Sequence, residues 1–138
     1  MRVLVYGGRT YNNRRAVFTY LDFLHDQQYP ITFLIHGACH NRRDKVTQRL
    51  IWSADLLAQE WALYREIPYT GLPAKWQTGG HGKREGMLRN QLMLDKWRPE
   101  RGIEFPGRTG TADMHDRLTL AGVPIDEYVK SPVYATVY

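Results

Sequence analysis

The stretch Val3-Leu4-Val5-Tyr6-Gly7-Gly8-Arg9 decides how the chain is interpreted, because a short apolar run ends in a pair of glycines. An apolar run without alternation is typical of a strand buried on both faces, and the glycines are typical of a tight turn at its end. Asn12 or Asn13 is suited to cap a following helix. Apolar residues then recur at helical spacing, at Ala16, Val17, Tyr20, Leu21 and Leu24. The chain therefore begins with a β-α unit.

The same alternation continues to the end of the chain. Strands are predicted at 31–35, from residue 67, at 102–105 and from residue 123. Helices are predicted after Ser53, which is suited to cap the helix that follows it, over 85–96 and over 110–120. The strand at 102–105 is the weakest, because Glu104 interrupts it and a central buried strand is normally apolar throughout. Strands separated by helices imply right-handed crossovers. We expect an α/β fold, a single Rossmann-like three-layer domain over residues 1–138 with a mostly parallel sheet of about five strands.

Composition indicates the cellular compartment of the protein and the charge of its partner. The single cysteine, Cys39, allows no internal disulfide, which fits a reducing compartment. No apolar run approaches the ~20 residues that span a bilayer, so we expect a cytoplasmic protein without a membrane partner. The formal net charge of +5 suits an anionic partner, either a small phosphate ligand or a nucleic acid.

Four segments are expected at the carboxyl edge of the sheet, where ligands bind in open α/β folds: residues 7–9, 36–38, 82–90 and 106–111. Glycines in these turns let backbone N–H groups approach an anion, and a helix that begins at the last turn adds free N–H groups and its dipole. The pattern is neither a Walker A loop nor a G-x-G-x-x-G dinucleotide fingerprint. The candidate ligand-binding residues are Gly7, Gly8, Arg9, His36, Gly37, Ala38, Asn90, Gly107, Arg108, Thr109, Gly110 and Thr111.

A set of motifs lies along nearly the whole chain, at residues 7–11, 36–39, Ala54-Asp55, Glu60-Trp61-Ala62, Arg89-Asn90, Met93 and 105–114. Together, in this order, they resemble the YspA-related branch of the SLOG superfamily of Rossmann-like nucleotide-binding proteins. The resemblance implies a nucleotide-derived ligand and a homo-oligomer. The superfamily includes the Lonely-Guy-type phosphoribohydrolases, which cleave the base–ribose bond of nucleoside monophosphates.

Two departures from the family pattern bear on function. The family usually has only a few residues between Cys39 and Ala54, whereas this chain has a basic insertion over about residues 40–52. The hydrolases carry a Glu three residues after the loop threonine, where this chain has Met114. The nearest acid is Asp113, one residue and about 100° of helical rotation away.

Several side chains have both a functional and a structural interpretation. Arg89 is a candidate phosphate clamp or catalytic cation, and Asp113 is a candidate ribose ligand or general base. The structural interpretation of Asp113 is an acid in the first turn of a helix, where its charge complements the helix dipole. The pair Cys39-His40 lacks a third orienting group, and with His36 it does not have a recognised metal spacing, so we expect no metal and no cofactor. Trp76 is suited either to stack on a nucleotide base or to cover the edge of the hydrophobic core.

Three functions remain open at this point. The first is a binder of a nucleotide-derived ligand, with a sensor or sequestering role. The second is an N-glycosidic hydrolase of nucleoside monophosphates that uses Arg89 and Asp113. The third is a single-stranded nucleic-acid binder, in which the basic insertion and exposed aromatic residues contact phosphates and bases.

Overall fold

The computed structural model describes residues 1–38, 42–74 and 84–134. The predictions for Cys39, His40 and Trp76 lie outside these residues. None of the described helices combines the length and the apolar character that crossing a membrane requires.

Strands and helices alternate in the predicted order, with one extra hairpin in the basic insertion. In chain order the described elements are β1 (Arg2–Tyr6), α1 (Arg14–Phe23) with a π-helical extension (Leu24–Gln28), β2 (Phe33–His36), β3 (Arg42–Arg43), β4 (Leu50–Ile51), α2 (Ala54–Tyr64), β5 (Tyr69–Gly71), α3 (Glu85–Trp97), β6 (Arg101–Glu104), α4 (Thr109–Leu120), β7 (Ile125–Glu127) and a 3-10 turn (Tyr128–Lys130).

Five of the described strands form one parallel sheet in the order β5-β2-β1-β6-β7. The expectation of an α/β fold with a mostly parallel sheet is therefore confirmed. From β1 the chain builds outward through β2 to β5, and then returns to place β6 on the other side of β1. The direction of strand addition reverses between β1 and β6, and such a reversal opens a crevice beyond the carboxyl ends of the two strands.

Side chains alternate along β1 and bury two helical layers, one on each face of the sheet. Val3 and Val5 belong to the core shared with α1 and α2. Leu4 and Tyr6 belong to the core shared with α3 and α4. This alternation follows from the two-residue period of a strand, and it yields the expected three layers.

The two helices of the first layer begin with side-chain caps, as the sequence predicts. Asn13 Oδ1 accepts a hydrogen bond from Ala16 N at 3.0 Å, and Ser53 Oγ accepts one from Leu56 N at 3.2 Å. Asn12, the alternative cap, instead accepts a hydrogen bond from Trp52 N at 3.3 Å. Asn12 therefore joins the loop after β1 to the residues that precede α2.

The basic insertion contains a short antiparallel hairpin, in which β3 pairs with β4. Its turn is closed by Asp44, whose Oδ1 accepts hydrogen bonds from Val46 N at 2.9 Å and Thr47 N at 2.8 Å. The hairpin lies between the end of β2 and the start of α2. It therefore emerges at the carboxyl edge of the sheet, and a role for its charge in nucleic-acid binding stays a prediction.

The weakest predicted strand, β6, occupies a central position between β1 and β7. Ile103 is fully buried, whereas Glu104 stands at the carboxyl end of the strand. The carboxylate of Glu104 accepts a hydrogen bond from Tyr6 Oη at 2.8 Å and lies 2.8 Å from His115 Nδ1. The central strand tolerates the acid because polar partners surround it at the strand end.

Gly7 occupies a site with no space for a side chain. A Cβ on Gly7 would lie 2.8 Å from Ala54 Cβ and 2.9 Å from Phe105 Cβ, closer than carbon atoms pack. The glycine therefore lets the first residue of α2 and the end of β6 both approach the end of β1. Gly110 differs, because nothing lies within 4 Å of an added Cβ there.

We expect Gly7→Ala to lower the free energy of unfolding by about 1–3 kcal/mol, because its methyl group forces packed elements apart. Gly110→Ala, the matched control in the first turn of α4, should leave stability unchanged or raise it by up to about 1 kcal/mol. Urea unfolding followed by circular dichroism measures both. Equal effects of the two substitutions would contradict the close packing at Gly7.

Candidate functional site at the carboxyl edge

A cleft of about 1040 Å³ opens where the ends of β1 and β6 meet. It brings together the glycine turns that follow three strands of the sheet. Residues Gly86, Met87 and Asn90 add a wall from α3. Of the residues predicted from the sequence, those that line the cleft are Gly7, Gly8, Arg9, Gly37, Arg89, Asn90, Gly107, Arg108, Thr109, Gly110 and Thr111.

Helix α4 begins at this cleft without a side-chain cap. Its N-cap residue is Arg108, whose side chain carries donors and no acceptor and makes no capping hydrogen bond to the first N–H groups of the helix. By contrast, α1 and α2 are capped by Asn13 and Ser53. The first N–H groups of an α-helix have no partner within the helix, so the start of α4 offers donors to an anion in the cleft.

The turns that follow β1 and β6 are in direct contact. Gly8 N donates a hydrogen bond to Pro106 O at 2.8 Å, so the N–H of Gly8 is used within the protein. A Cβ on Gly107 would lie 1.9 Å from Thr111 Oγ1 and 2.8 Å from Gly8 N. Gly8 and Gly107 therefore shape the floor of the cleft, because the space between the two turns does not accommodate a Cβ atom on Gly107.

Arg89 is fixed in the wall of the cleft by acceptors of the protein. Its Nη1 donates to the carbonyl oxygen of Gly37, and its Nε donates to Asn90 Oδ1 at 3.0 Å. Gly37 leaves the room that this requires, because a Cβ there would lie 2.8 Å from the Arg89 Cζ. The guanidinium is thus a fixed positive charge beside the turn after β2.

Asn90 connects this arginine to the start of α4. The side chain is buried, and its Nδ2 donates to Gly110 O at 3.3 Å and to Asp113 Oδ2 at 3.0 Å. The same carboxylate oxygen accepts a hydrogen bond from Arg117 Nε at 2.8 Å. Asn90 therefore holds the α4 loop against α3.

Asp113 belongs to α4, its carboxylate contacts Asn90 of α3, and it is not among the residues that line the cleft. Its contacts with Asn90 and Arg117 are structural. Its proposed catalytic role, deduced from the sequence, stays a prediction.

His36 and Ala38 also lie outside the lining of the cleft, and they shape the turn after β2. The His36 ring is fully buried, and its Nδ1 accepts a hydrogen bond from Ala38 N at 2.9 Å. The proton must then be on Nε2, which lies 2.8 Å from Gln59 Oε1 and donates to it. Ala38 has a φ of 51°, in the left-handed region, and the hydrogen bond to His36 supports that conformation.

Sequence reasoning missed the apolar part of the cleft. Tyr6, Met87 and Met114 line it, yet at helical or strand spacing such residues indicate only core. Burial and the neighbouring Glu104 raise the pKa of Tyr6, so its hydroxyl stays protonated and donates to that carboxylate. No local sequence signal distinguishes an apolar residue that faces a cleft from one that faces the core.

The first part of the chain matches a known protein family. Residues 1–79 match the model of the YspA, cpYpsA-related SLOG family, a shorter span than the sequence resemblance, which extends to residue 114. No curated protein matches the chain.

Among solved structures, a phosphoribosylglycinamide formyltransferase from Bacillus Halodurans aligns with 92% of this chain at 14% identity and a TM-score of 0.46. The alignment covers 55% of that protein, so the chain spans about half its length.

We expect His36 to make folding sensitive to mild acid. Burial lowers the pKa of the His36 imidazole below its ordinary 6.5. As pH falls below about 6.5, the unfolded chain takes up this proton before the native protein does, so the free energy of unfolding falls. The slope from one proton is at most about 1.4 kcal/mol per pH unit.

Urea unfolding of the native protein and of His36→Gln at pH 7.5, 6.5 and 5.5 measures this contribution. The variant is expected to lose less stability between pH 7.5 and 5.5 than the native protein. The same pH dependence in both proteins would show that His36 does not contribute.

Proposed function

Since the chain belongs to the YspA, cpYpsA-related SLOG family, we propose that its cleft binds the phosphate group of a nucleotide or nucleotide-derived ligand, in a sensor or sequestering role. The phosphate would lie at the start of α4, against the turn from Gly107 to Thr111.

The single observation that carries this proposal is the uncapped start of α4 inside the cleft. Free N–H groups and the helix dipole both favour an anion there. Thr109 and Thr111, which also line the cleft, have hydroxyl groups suited to donate further hydrogen bonds.

The charges around the cleft support an anionic ligand. Arg9 and Arg108 line it and are largely exposed, and the fixed guanidinium of Arg89 lies in its wall. Arginine suits phosphate because its planar fork donates two hydrogen bonds at once. Asp55 is an acid in the lining, so the positive groups outnumber it.

The size and the apolar part of the cleft support a ligand larger than phosphate alone. Small-molecule sites occupy roughly 300–1000 Å³, and this cleft lies at the upper end of that range. Met87, Met93 and Met114 are among the residues that line it, and methionine side chains pack well against an aromatic ring. A base and a ribose therefore have room beside the phosphate.

The geometry favours binding over hydrolysis. A general base has to reach the water that it activates. The Oδ2 of Asp113 already accepts hydrogen bonds from Asn90 and Arg117, and Asp113 does not line the cleft. Hydrolysis of the glycosidic bond is therefore the alternative that the experiment below separates from binding.

We expect 5′-nucleoside monophosphates to raise the melting temperature, because a ligand that binds only the native state stabilises it. AMP, GMP, CMP and UMP are compared with the matching nucleosides, which lack the phosphate and should stabilise less. Arg108→Ala and Thr111→Ala should each raise the dissociation constant measured by calorimetry by about fivefold or more. Lys96→Ala, the control, also removes a positive charge, but at the far end of α3, and should leave the dissociation constant unchanged.

Two results would overturn the proposal. One is that no nucleotide stabilises the protein, and the other is that Arg108→Ala and Thr111→Ala bind as the native protein does. Chromatography of the same mixtures shows whether base is released. Release that disappears in Asp113→Asn would assign the hydrolase function instead.

A further inference from the structure

A second polar cluster lies beside the cleft, at the ends of β6 and β7. Glu104 and Glu127 are register partners on these adjacent parallel strands, and His115 reaches them from α4. One nitrogen of His115 and one oxygen of each carboxylate all lie within 4.8 Å of one another. Each of the three residues belongs to a regular element, so the backbone holds the donors in place.

The cluster brings two carboxylates together, which is unfavourable unless positive charge or protons compensate. Within the described residues, Tyr6 Oη and His115 Nδ1 lie 2.8 Å from Glu104 Oε1. Lys130 Nζ lies 2.9 Å from Glu127 Oε2, but its side chain is 73% exposed. Because water screens the charge of this exposed lysine, the ion pair compensates the two carboxylates only in part, which leaves them the capacity to bind a cation.

We propose that Glu104, His115 and Glu127 form a zinc site. One imidazole and two carboxylates are a donor set that zinc accepts, and three protein ligands leave a fourth position for water. Magnesium and calcium prefer more oxygen donors and no imidazole. The sequence analysis predicts no metal, because it considered only His36, Cys39 and His40 as ligands and found no recognised metal spacing among them.

The present geometry requires a small adjustment to bind the metal. His115 Nδ1 and Glu104 Oε1 are 2.8 Å apart and share a hydrogen bond, whereas two ligands of a tetrahedral zinc lie about 3.4 Å apart. Rotation of the partly exposed His115 side chain supplies this difference. The imidazole then gives its lone pair to the metal in place of the hydrogen bond to Glu104.

Tyr6 is a positioning residue for this site. Its hydroxyl donates to Glu104 Oε1, and the residue also lines the cleft. Hydrogen bonds to metal ligands orient them and strengthen binding by roughly 10–100-fold. The proposal does not depend on nucleotide binding, because none of the three ligands lines the cleft.

The test is zinc titration of the full chain without an affinity tag, by calorimetry and by competition with a zinc-binding dye. We expect one site per chain, which His115→Gln and Glu127→Gln weaken by more than about tenfold. Tyr6→Phe keeps the three ligands and should weaken zinc binding by about tenfold, which a purely structural cluster would not show. Urea unfolding without zinc checks that each variant is folded.

Two controls exclude other zinc-binding groups. Glu100→Gln removes a carboxylate at the opposite edge of the sheet and should have no effect. The double substitution Cys39→Ser with His40→Asn should also leave the affinity unchanged. Zinc binding that survives both His115→Gln and Glu127→Gln, or that the Cys39/His40 double variant abolishes, would overturn the proposal, as would the absence of zinc binding.

Discussion

The carboxyl edge of this protein depends on the close contact between the turns that follow β1 and β6. Because Gly7 has no side chain, Ala54 and Phe105 pack directly against its backbone, and Gly8 N donates a hydrogen bond to Pro106 O. The hydrogen-bonded pairing of β1 with β6 brings the two turns side by side, and this contact holds them together as the floor of the cleft. The glycines matter here mainly for the space that they leave, and less as donors to a ligand.

The wall opposite this floor is fixed by one continuous hydrogen-bonded chain. The Gly37 carbonyl accepts from Arg89, the Arg89 guanidinium donates to Asn90, and Asn90 donates to Gly110 and Asp113. The chain joins the turn after β2, helix α3 and the start of α4. A site held in this way loses little conformational freedom when a ligand binds, which favours affinity.

Tyr6 belongs to two polar regions at the same edge. It lines the cleft, and its hydroxyl contacts Glu104 in the cluster with His115 and Glu127. The first region is rich in arginine and helix N–H groups, whereas the second is rich in carboxylates. This difference in charge is the basis of the two proposals, an anion in the cleft and a cation in the cluster.

The sequence by itself determined the alternation of the strands of the main sheet with helices, the caps at Asn13 and Ser53 and the glycine turns. These features follow from interactions between near neighbours, so consecutive residues reveal them. Only the tertiary structure decided that the Glu104 strand is central and that Asp113 of α4 contacts Asn90 of α3. It also brought Glu104, His115 and Glu127 together. These arrangements join residues from separate elements, and the sheet order that aligns them is set by packing across the whole domain.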